Sequence, residues 1–228
     1  MEKIKKETLR WIIYLIGMIL LAAGITLNTK TTLGVSPIVS VPYAVSQIRG
    51  MNLGNATLIW YCIFVAVEVL SRSLKRSPGW QRQVVLDLLQ IPLSLVFTRF
   101  MNIFAAVIPE FETDYPGTFL GSVYARFGFL LLAVILTGTG AALSLKMHIV
   151  PNPGEGIVQA IADLGGWKVS TVKNLFDLSC VLLALVIALT AVHQVIGIGV
   201  GTLVAVLGVG RVIWLVNRLC FSKGESIC

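Results

Sequence analysis

The sequence predicts an all-α polytopic membrane protein with six transmembrane helices and two re-entrant hairpins in an inverted internal repeat. Of 228 residues, 56% are hydrophobic and 13% are charged, and the mean hydropathy is +0.87. A globular domain carries about 25% charged residues. Long apolar segments recur along the chain, and residues 15–50 resemble residues 131–166. Composition, segment length and internal similarity therefore all favour a duplicated membrane protein.

The apolar segments are long enough to cross a bilayer, since a transmembrane helix needs about 20 apolar residues. Six segments qualify, at 11–29, 54–71, 83–108, 119–145, 170–191 and 195–217. They leave no room for a soluble module, so residues 1–228 are predicted to form a single membrane domain surrounded by lipid.

An ungapped comparison of 15–50 with 131–166 supports the repeat, because glycine, lysine and proline match as well as leucine. The identical pairs are Leu15 and Leu131, Ile19 and Ile135, Leu20 and Leu136, Gly24 and Gly140, Leu27 and Leu143, Lys30 and Lys146, Pro37 and Pro153, Ala44 and Ala160, and Gly50 and Gly166. The repeats are expected to cover about 11–108 and 119–217.

The positive charges indicate the orientation, because cytoplasmic loops are enriched in lysine and arginine. The N-terminus, the 72–82 loop and the tail, which contains Arg218 and Lys223, are basic, whereas the 109–117 loop is acidic. Both termini are therefore expected in the cytoplasm and the acidic loop outside. Lys30 and Arg49 would also lie outside, against the trend.

This orientation requires the short segments 34–50 and 150–166 to make no net crossing. Each contains two prolines, which disfavour a straight helix. They are predicted to re-enter from opposite faces, which inverts the second half relative to the first. In the alternative topology they are full spans, which gives eight helices and puts the basic 72–82 loop outside.

Broken helices at membrane depth are typical of secondary transporters and also occur in channels, where freed backbone groups face a wet cavity. The predicted site lies between GVSPIVS and PNPGEG. Its candidate ligand-binding residues are Ser36, Pro37, Ser40, Asn152, Pro153, Gly154, Glu155, Asp177 and Arg211. The alternative is that both motifs are ordinary turns at helix ends.

Glu155 is the strongest of these candidates, because a carboxylate at membrane depth is costly unless it is paired or functional. In a shallow hairpin it would instead be solvated. Asp177 and Arg211 both fall inside predicted spans and could pair, although Lys173 competes for Asp177 at i,i+4 spacing. Glu68 and Arg72 have the same spacing near a cytoplasmic end, where a solvated pair is expected.

Several function classes lack sequence support. The four cysteines and two histidines show no metal-ligand spacing, and no constellation of serine, cysteine or histidine supports nucleophilic catalysis. The chain is therefore not expected to be an enzyme, and no cofactor, metal or nucleic-acid partner is predicted. The glycines of GIGVGTLVAVLGVG, which only superficially resemble a phosphate loop, are expected to permit close helix packing.

The runs LGVSPIVSVPYAVSQ, IVPNPGEGIVQAIAD, GGWKVSTVKNLFDL and IGIGVGTLVAVLGVGRVI resemble the YczE/YyaS/YitT group of bacterial integral membrane proteins over about residues 10–217. The resemblance implies a multi-pass inner-membrane protein of largely unassigned activity. Members of the group often carry an acidic residue soon after the motif proline in both halves. Here Val39 takes that place in the first half and Glu155 in the second.

The sequence therefore predicts a transporter-like permease for an unidentified small solute, with membrane lipid and that solute as its partners, and it leaves association into a homo-oligomer open. An accessory or regulatory membrane protein that does not transport is the alternative from a different class. Polar groups converging on a cavity would favour the permease, and a closed apolar interior would favour the alternative.

Overall fold

The computed structural model describes residues 2–220, so Lys223 of the basic tail lies outside the described residues. All regular structure in this range is helical. The helices are α1 (Glu2–Lys30), α2 (Pro37–Arg49), α3 (Leu53–Lys75), α4 (Trp80–Val107), α5 (Phe111–Asp114), α6 (Val123–Lys146), α7 (Pro153–Gly165), α8 (Val169–Val192) and α9 (Val200–Cys220).

Six helices are long and apolar enough to cross a membrane, which confirms the predicted polytopic all-α class. They are α1, α3, α4, α6, α8 and α9. Large apolar side chains lie exposed along them, as on α8 at Leu175, Leu178, Leu182 and Val186. Exposed leucine and valine in such number fit a surface that faces lipid rather than water.

The two short segments form single helices, α2 and α7, of 13 residues each. A helix of this length is roughly 20 Å long, which is too short for a hydrocarbon core of about 30 Å. Each half of the chain therefore has the order long, short, long, long. The re-entrant path of the short helices remains a prediction.

The chain divides into two compact units, and each unit draws on both halves. Within the described residues, unit 1 comprises 2–36, 103–149 and 197–220, and unit 2 comprises 37–102 and 150–196. The predicted single domain and the repeat boundaries stay predictions.

Unit 1 is built around α6, which packs against α1 and α9. Small residues allow the close approach. A Cβ atom on Gly17 would lie 2.5 Å from the Ser144 hydroxyl, and one on Gly138 would lie 2.5 Å from Cβ of Val212. This is the close helix packing that small residues permit in membrane proteins.

The segment before α2 is held by the glycine-rich loop before α9. The Val35 amide donates to the Gly197 carbonyl at 2.8 Å, and the Gly201 amide donates to the Leu33 carbonyl at 2.7 Å. Gly34 between them has a φ of 123°, a conformation that suits glycine. The backbone of GVSPIVS is thus partly satisfied within unit 1, and the glycines before α9 serve this packing.

The acidic loop of unit 1 is tied to basic residues at nearby helix ends. Arg126 binds Glu112 at 2.6 Å and also bonds the Thr32 hydroxyl, while Lys30 pairs with Glu110 at 3.3 Å. The Thr32 hydroxyl donates to Glu112 at 2.5 Å. This hydrogen bond and the Arg126 charge hold the pKa of Glu112 below its usual range. Lys30, which counted against the predicted orientation, therefore has an acidic partner.

Unit 2 contains both short helices. In it α2 packs against α3 and α8, and α7 packs against α3 and α8. Each short helix thus contacts the second long helix of its own half and that of the other half. Such matching contacts between the halves are expected of two related repeats. They also place the starts of α2 and α7 in the same unit.

Candidate functional site

The start of α7 is fixed by its own sequence. Asn152 is the N-cap residue, and its side chain accepts a hydrogen bond from the Gly154 amide at 3.0 Å. Pro153 occupies the first turn, where its missing N–H costs nothing. Glu155 follows in the same turn, where a negative charge is favoured by the helix dipole. The PNPGEG motif therefore encodes a sharp helix start with a carboxylate beside it.

This start lies beside the middle of α3. Asn152 interacts with Tyr61, Gly156 lies against Glu68, and Asp163 faces Arg72 at 3.8 Å, so α7 runs alongside the later part of α3. Tyr61 is about 12 Å along the helix from Leu53 and about 21 Å from Lys75. If α3 spans the bilayer, Asn152 and Glu155 lie deep within it.

The start of α2 has the corresponding position against α8. The Ser40 hydroxyl donates to the Cys180 carbonyl at 3.2 Å and to the Pro37 carbonyl at 2.6 Å, and Cys180 is in the middle of α8. The starts of the two short helices also meet, since a Cβ atom on Gly154 would lie 3.0 Å from Cδ1 of Ile38. Two positive helix ends therefore converge at one place in unit 2.

The start of α7 and the first half of α8 carry three charged side chains that interact with one another. Lys173 binds Asp177 at 2.6 Å, one turn apart on α8, and the Lys173 charge also acts on Glu155. The side chains of Lys173 and Asp177 are 38% and 17% exposed. The cluster, called here the α7–α8 charge cluster, holds two carboxylates and one ammonium group. It can offer a bound molecule both an acidic and a basic partner.

An aromatic layer borders the cluster. The Phe64 ring meets that of Phe176 at 5.3 Å between centroids and that of Trp60 at 5.0 Å. Tyr61 is almost fully buried, stacks on Phe97 and presents its hydroxyl group to Asn152. Apolar walls with a few placed polar groups are typical of small-molecule sites.

A second set of polar side chains is buried between α3 and α4. Glu68 is 0% exposed and accepts a hydrogen bond from the Gln90 amide at 2.7 Å. The same amide reaches Asp87 at 3.4 Å, and Asp87 binds Arg72 at 2.5 Å. The expectation of a solvated Glu68–Arg72 pair is therefore wrong: Arg72 turns to Asp87, which competes for it from α4.

Most of the predicted ligand-binding residues lie in unit 2. Those in unit 2 are Pro37, Ser40, Asn152, Pro153, Gly154, Glu155 and Asp177, whereas Ser36 and Arg211 belong to unit 1. Ser40 is fully buried and bonded to backbone carbonyls, which indicates a packing role. Asp177 has Lys173 as its ion-pair partner, and Arg211 is exposed on α9. Their roles in binding remain predictions.

Sequence reasoning missed Tyr61 and the burial of Glu68. A signal for both was present, because Gly54, Thr57, Tyr61, Phe64 and Glu68 repeat at the three- and four-residue spacing of one helix face. A polar residue that shares a helix face with a tyrosine, a phenylalanine and a glycine is expected to point into the protein. Gln90 of α4 supplies the hydrogen bond that holds Glu68 of α3 in this position.

Comparison with known proteins supports a membrane family. Residues 8–218 match the family described as "Family of unknown function (DUF6198)". The chain is also similar to "Uncharacterized membrane protein YczE" of Bacillus subtilis (strain 168), with 29% identity over 172 residues, which cover 75% of this chain and 71% of the relative. No solved structure matches. These matches support a YczE-like membrane family, whereas the YyaS and YitT parts of the resemblance are not tested by them.

Proposed function

The chain belongs to the family of unknown function DUF6198, and we propose that it is a permease for a small polar solute. It would work in the cytoplasmic membrane of a bacterial cell, with both termini in the cytoplasm. Its proposed partners are the solute, membrane lipid and, in a homo-oligomer, further copies of the chain. The proposal includes no enzymatic activity and no nucleic-acid partner.

The position of the α7 start beside the middle of α3 carries this proposal. The first amides of α7 are satisfied by Asn152, so the group that a helix start at mid-span leaves away from bulk water is the carboxylate of Glu155, which is costly unless it is paired or something is bound there. Transporters with inverted repeats place substrates at broken helix ends of this kind. The meeting of α2 and α7 through Ile38 and Gly154 supports the same site.

The charges of the site favour a solute that is itself charged. Lys173 and the converging helix starts attract an anionic group, whereas Glu155 and Asp177 attract a cationic group. A zwitterionic solute would satisfy both. Because Lys173 already has Asp177 at 2.6 Å, a bound anionic group would share or displace that carboxylate.

The proposal is tested with purified protein and three panels of small solutes: monoanions, monocations and zwitterions such as α-amino acids. We expect at least one compound to raise the melting temperature and to accumulate in proteoliposomes. Lys173→Gln should abolish both effects. The matched control is Lys168→Gln, which removes an exposed lysine five residues earlier, at the N-cap position of α8.

Two results would contradict the permease assignment. If no panel member stabilises the protein or enters proteoliposomes, the accessory or regulatory function becomes the better account. If uptake occurs but is the same in Lys173→Gln and Lys168→Gln, transport is real and the proposed site is wrong.

A further inference from the structure

The carboxyl group of Glu68 is buried without a counter-ion of its own. Its Oε2 atom accepts the Gln90 amide at 2.7 Å, and no donor within residues 2–220 bonds its Oε1 atom. The side chain is 0% exposed. An ionised carboxylate with one neutral hydrogen-bond partner is strongly disfavoured in such surroundings, because the charge has lost its water.

The charges that face Glu68 do not supply the missing partner. From its own helix, Arg72 is engaged by Asp87 of α4 at 2.5 Å and lies 3.8 Å from Asp163 of α7. Asp87 itself is 1% exposed, so two buried carboxyl groups compete for one guanidinium group.

The other helices packed on α3 add no free cation near Glu68. The only charged residue of α2 is Arg49, which is exposed in its last turn, and α8 contributes the Lys173–Asp177 pair. From α7, the residue against the Glu68 carboxyl is Gly156. A Cβ atom there would lie 2.5 Å from Oε2 and 2.8 Å from Cδ and Oε1.

We propose that Glu68 is a proton-binding site, occupied as the carboxylic acid in the state seen here. Binding adds one proton to the carboxylate oxygen and removes one negative charge, so the buried group becomes neutral. The Gln90 Oε1 atom, which is also buried and unbonded among the described residues, is a free acceptor in the same polar group.

A polar path connects this site with a cavity. The cavity has a volume of about 410 Å³ and is lined by Arg72, Lys75, Gln83 and Asp163, among others. From it, Arg72, Asp87, Gln90 and Glu68 follow one another through hydrogen bonds of 2.5, 3.4 and 2.7 Å. Polar groups, rather than an apolar wall, therefore lie between Glu68 and the cavity.

The contact with Gly156 connects the proton to the proposed solute site, and this step rests on the proposed function. Glu155, the neighbouring residue on α7, is within range of the Lys173 charge. A change of charge at Glu68 alters the electrostatic environment of the α7 backbone at Gly156, the residue next to Glu155. The site is therefore placed to couple proton binding to solute binding.

The test is infrared difference spectroscopy of the purified protein in lipid bilayers at neutral pH. The wild type should show the C=O stretch of a protonated, water-excluded carboxyl group, about one per chain. Glu68→Gln, an isostere of the acid, should remove that band. Glu110→Gln, which changes an exposed carboxylate of the acidic loop, should keep it.

An unchanged band in Glu68→Gln, or no band in the wild type, would overturn the proposal. A second result would also overturn it. If Na⁺ raises the melting temperature of the wild type relative to choline, and this effect is lost in Glu68→Gln, the site binds a metal cation rather than a proton. If Glu68→Gln does not fold, Glu68→Asp keeps the acid and should shift the band, whereas an identical band would refute the assignment. The measurement needs no solute, so its failure leaves the permease proposal standing, and a failure of every uptake assay leaves the proton site standing.

Discussion

Gly156 gives the sharpest stability test of the packing around the buried carboxyl group. Replacing it with alanine would put a Cβ atom 2.5 Å from Oε2 and 2.8 Å from Cδ of Glu68. Unstrained contacts between carbon atoms need about 3.5–4.0 Å, so the carboxyl group must move by roughly 1 Å. Glu68 is fully buried and accepts a hydrogen bond from the Gln90 amide at 2.7 Å, so moving its carboxyl group would strain or break that hydrogen bond.

The expected cost follows from two opposing effects. Overpacking a tight interior costs about 1–3 kcal/mol. Alanine gains up to about 1 kcal/mol over glycine inside a helix. We therefore expect Gly156→Ala to lower the free energy of unfolding by about 1–2 kcal/mol. Gly128→Ala in α6, where nothing lies within 4 Å of the new Cβ atom, should be neutral or slightly stabilising.

The assay is equilibrium unfolding in mixed micelles with increasing SDS, carried out as a double-mutant cycle. In a Glu68→Ala background the obstacle is gone, so the alanine at 156 should no longer destabilise the protein. The two positions should then show a coupling of about 1–3 kcal/mol. Equal effects of Gly156→Ala with and without the Glu68 side chain, or an effect no larger than that of Gly128→Ala, would refute the contact.

Three further predictions concern the helix start, the acidic loop and the topology. Asn152→Ala should destabilise the protein by about 0.5–2 kcal/mol through loss of the cap on α7, and Asn152→Ser, which keeps a neutral capping oxygen, should retain most of the stability; equal losses in both would argue against the cap. The lowered pKa of Glu112 means that its carboxylate stabilises the fold above its usual value of 4.5, and that this contribution is lost as the pH falls through the lowered value. The melting temperature of Glu112→Gln should therefore fall below that of the wild type at pH 7, and the difference should shrink as the pH is lowered through the acidic range, whereas a difference independent of pH would contradict this account. In a cysteine-free background, Arg76→Cys should react with impermeant reagents only from the cytoplasm and Asp114→Cys only from outside, and external labelling at 76 would refute the predicted orientation.

Local sequence features predicted the elements of this fold well. Span length and proline content are local properties of the sequence, so the six long helices and the two short segments could be located without knowing any tertiary contact. The short segments were expected to be re-entrant hairpins, whereas each forms one helix of 13 residues, and Pro42 lies inside the first. The start of α7 was visible in PNPGEG because a capping asparagine, a proline and an acidic residue stand in order.

The contacts between distant segments could not be predicted in the same way. The i,i+4 spacing pairs Glu68 with Arg72, but it contains no information about Asp87. This buried residue of the next helix binds Arg72 instead. GVSPIVS suggested freed backbone near a ligand, yet Val35 donates to Gly197, far along the chain. In both cases a long-range partner changed the role that local spacing indicated.

The central claim is that Glu155 belongs to a solute-binding site at the start of α7, and removal of its charge tests this most directly. Glu155→Gln keeps the shape of the side chain, and Glu110→Gln is a matched change of a carboxylate in unit 1. For a solute identified with the panels, equilibrium binding to purified protein should weaken at least about tenfold in Glu155→Gln, a loss of about 1.4 kcal/mol, and remain unchanged in Glu110→Gln. Wild-type affinity in a well-folded Glu155→Gln variant would contradict the account.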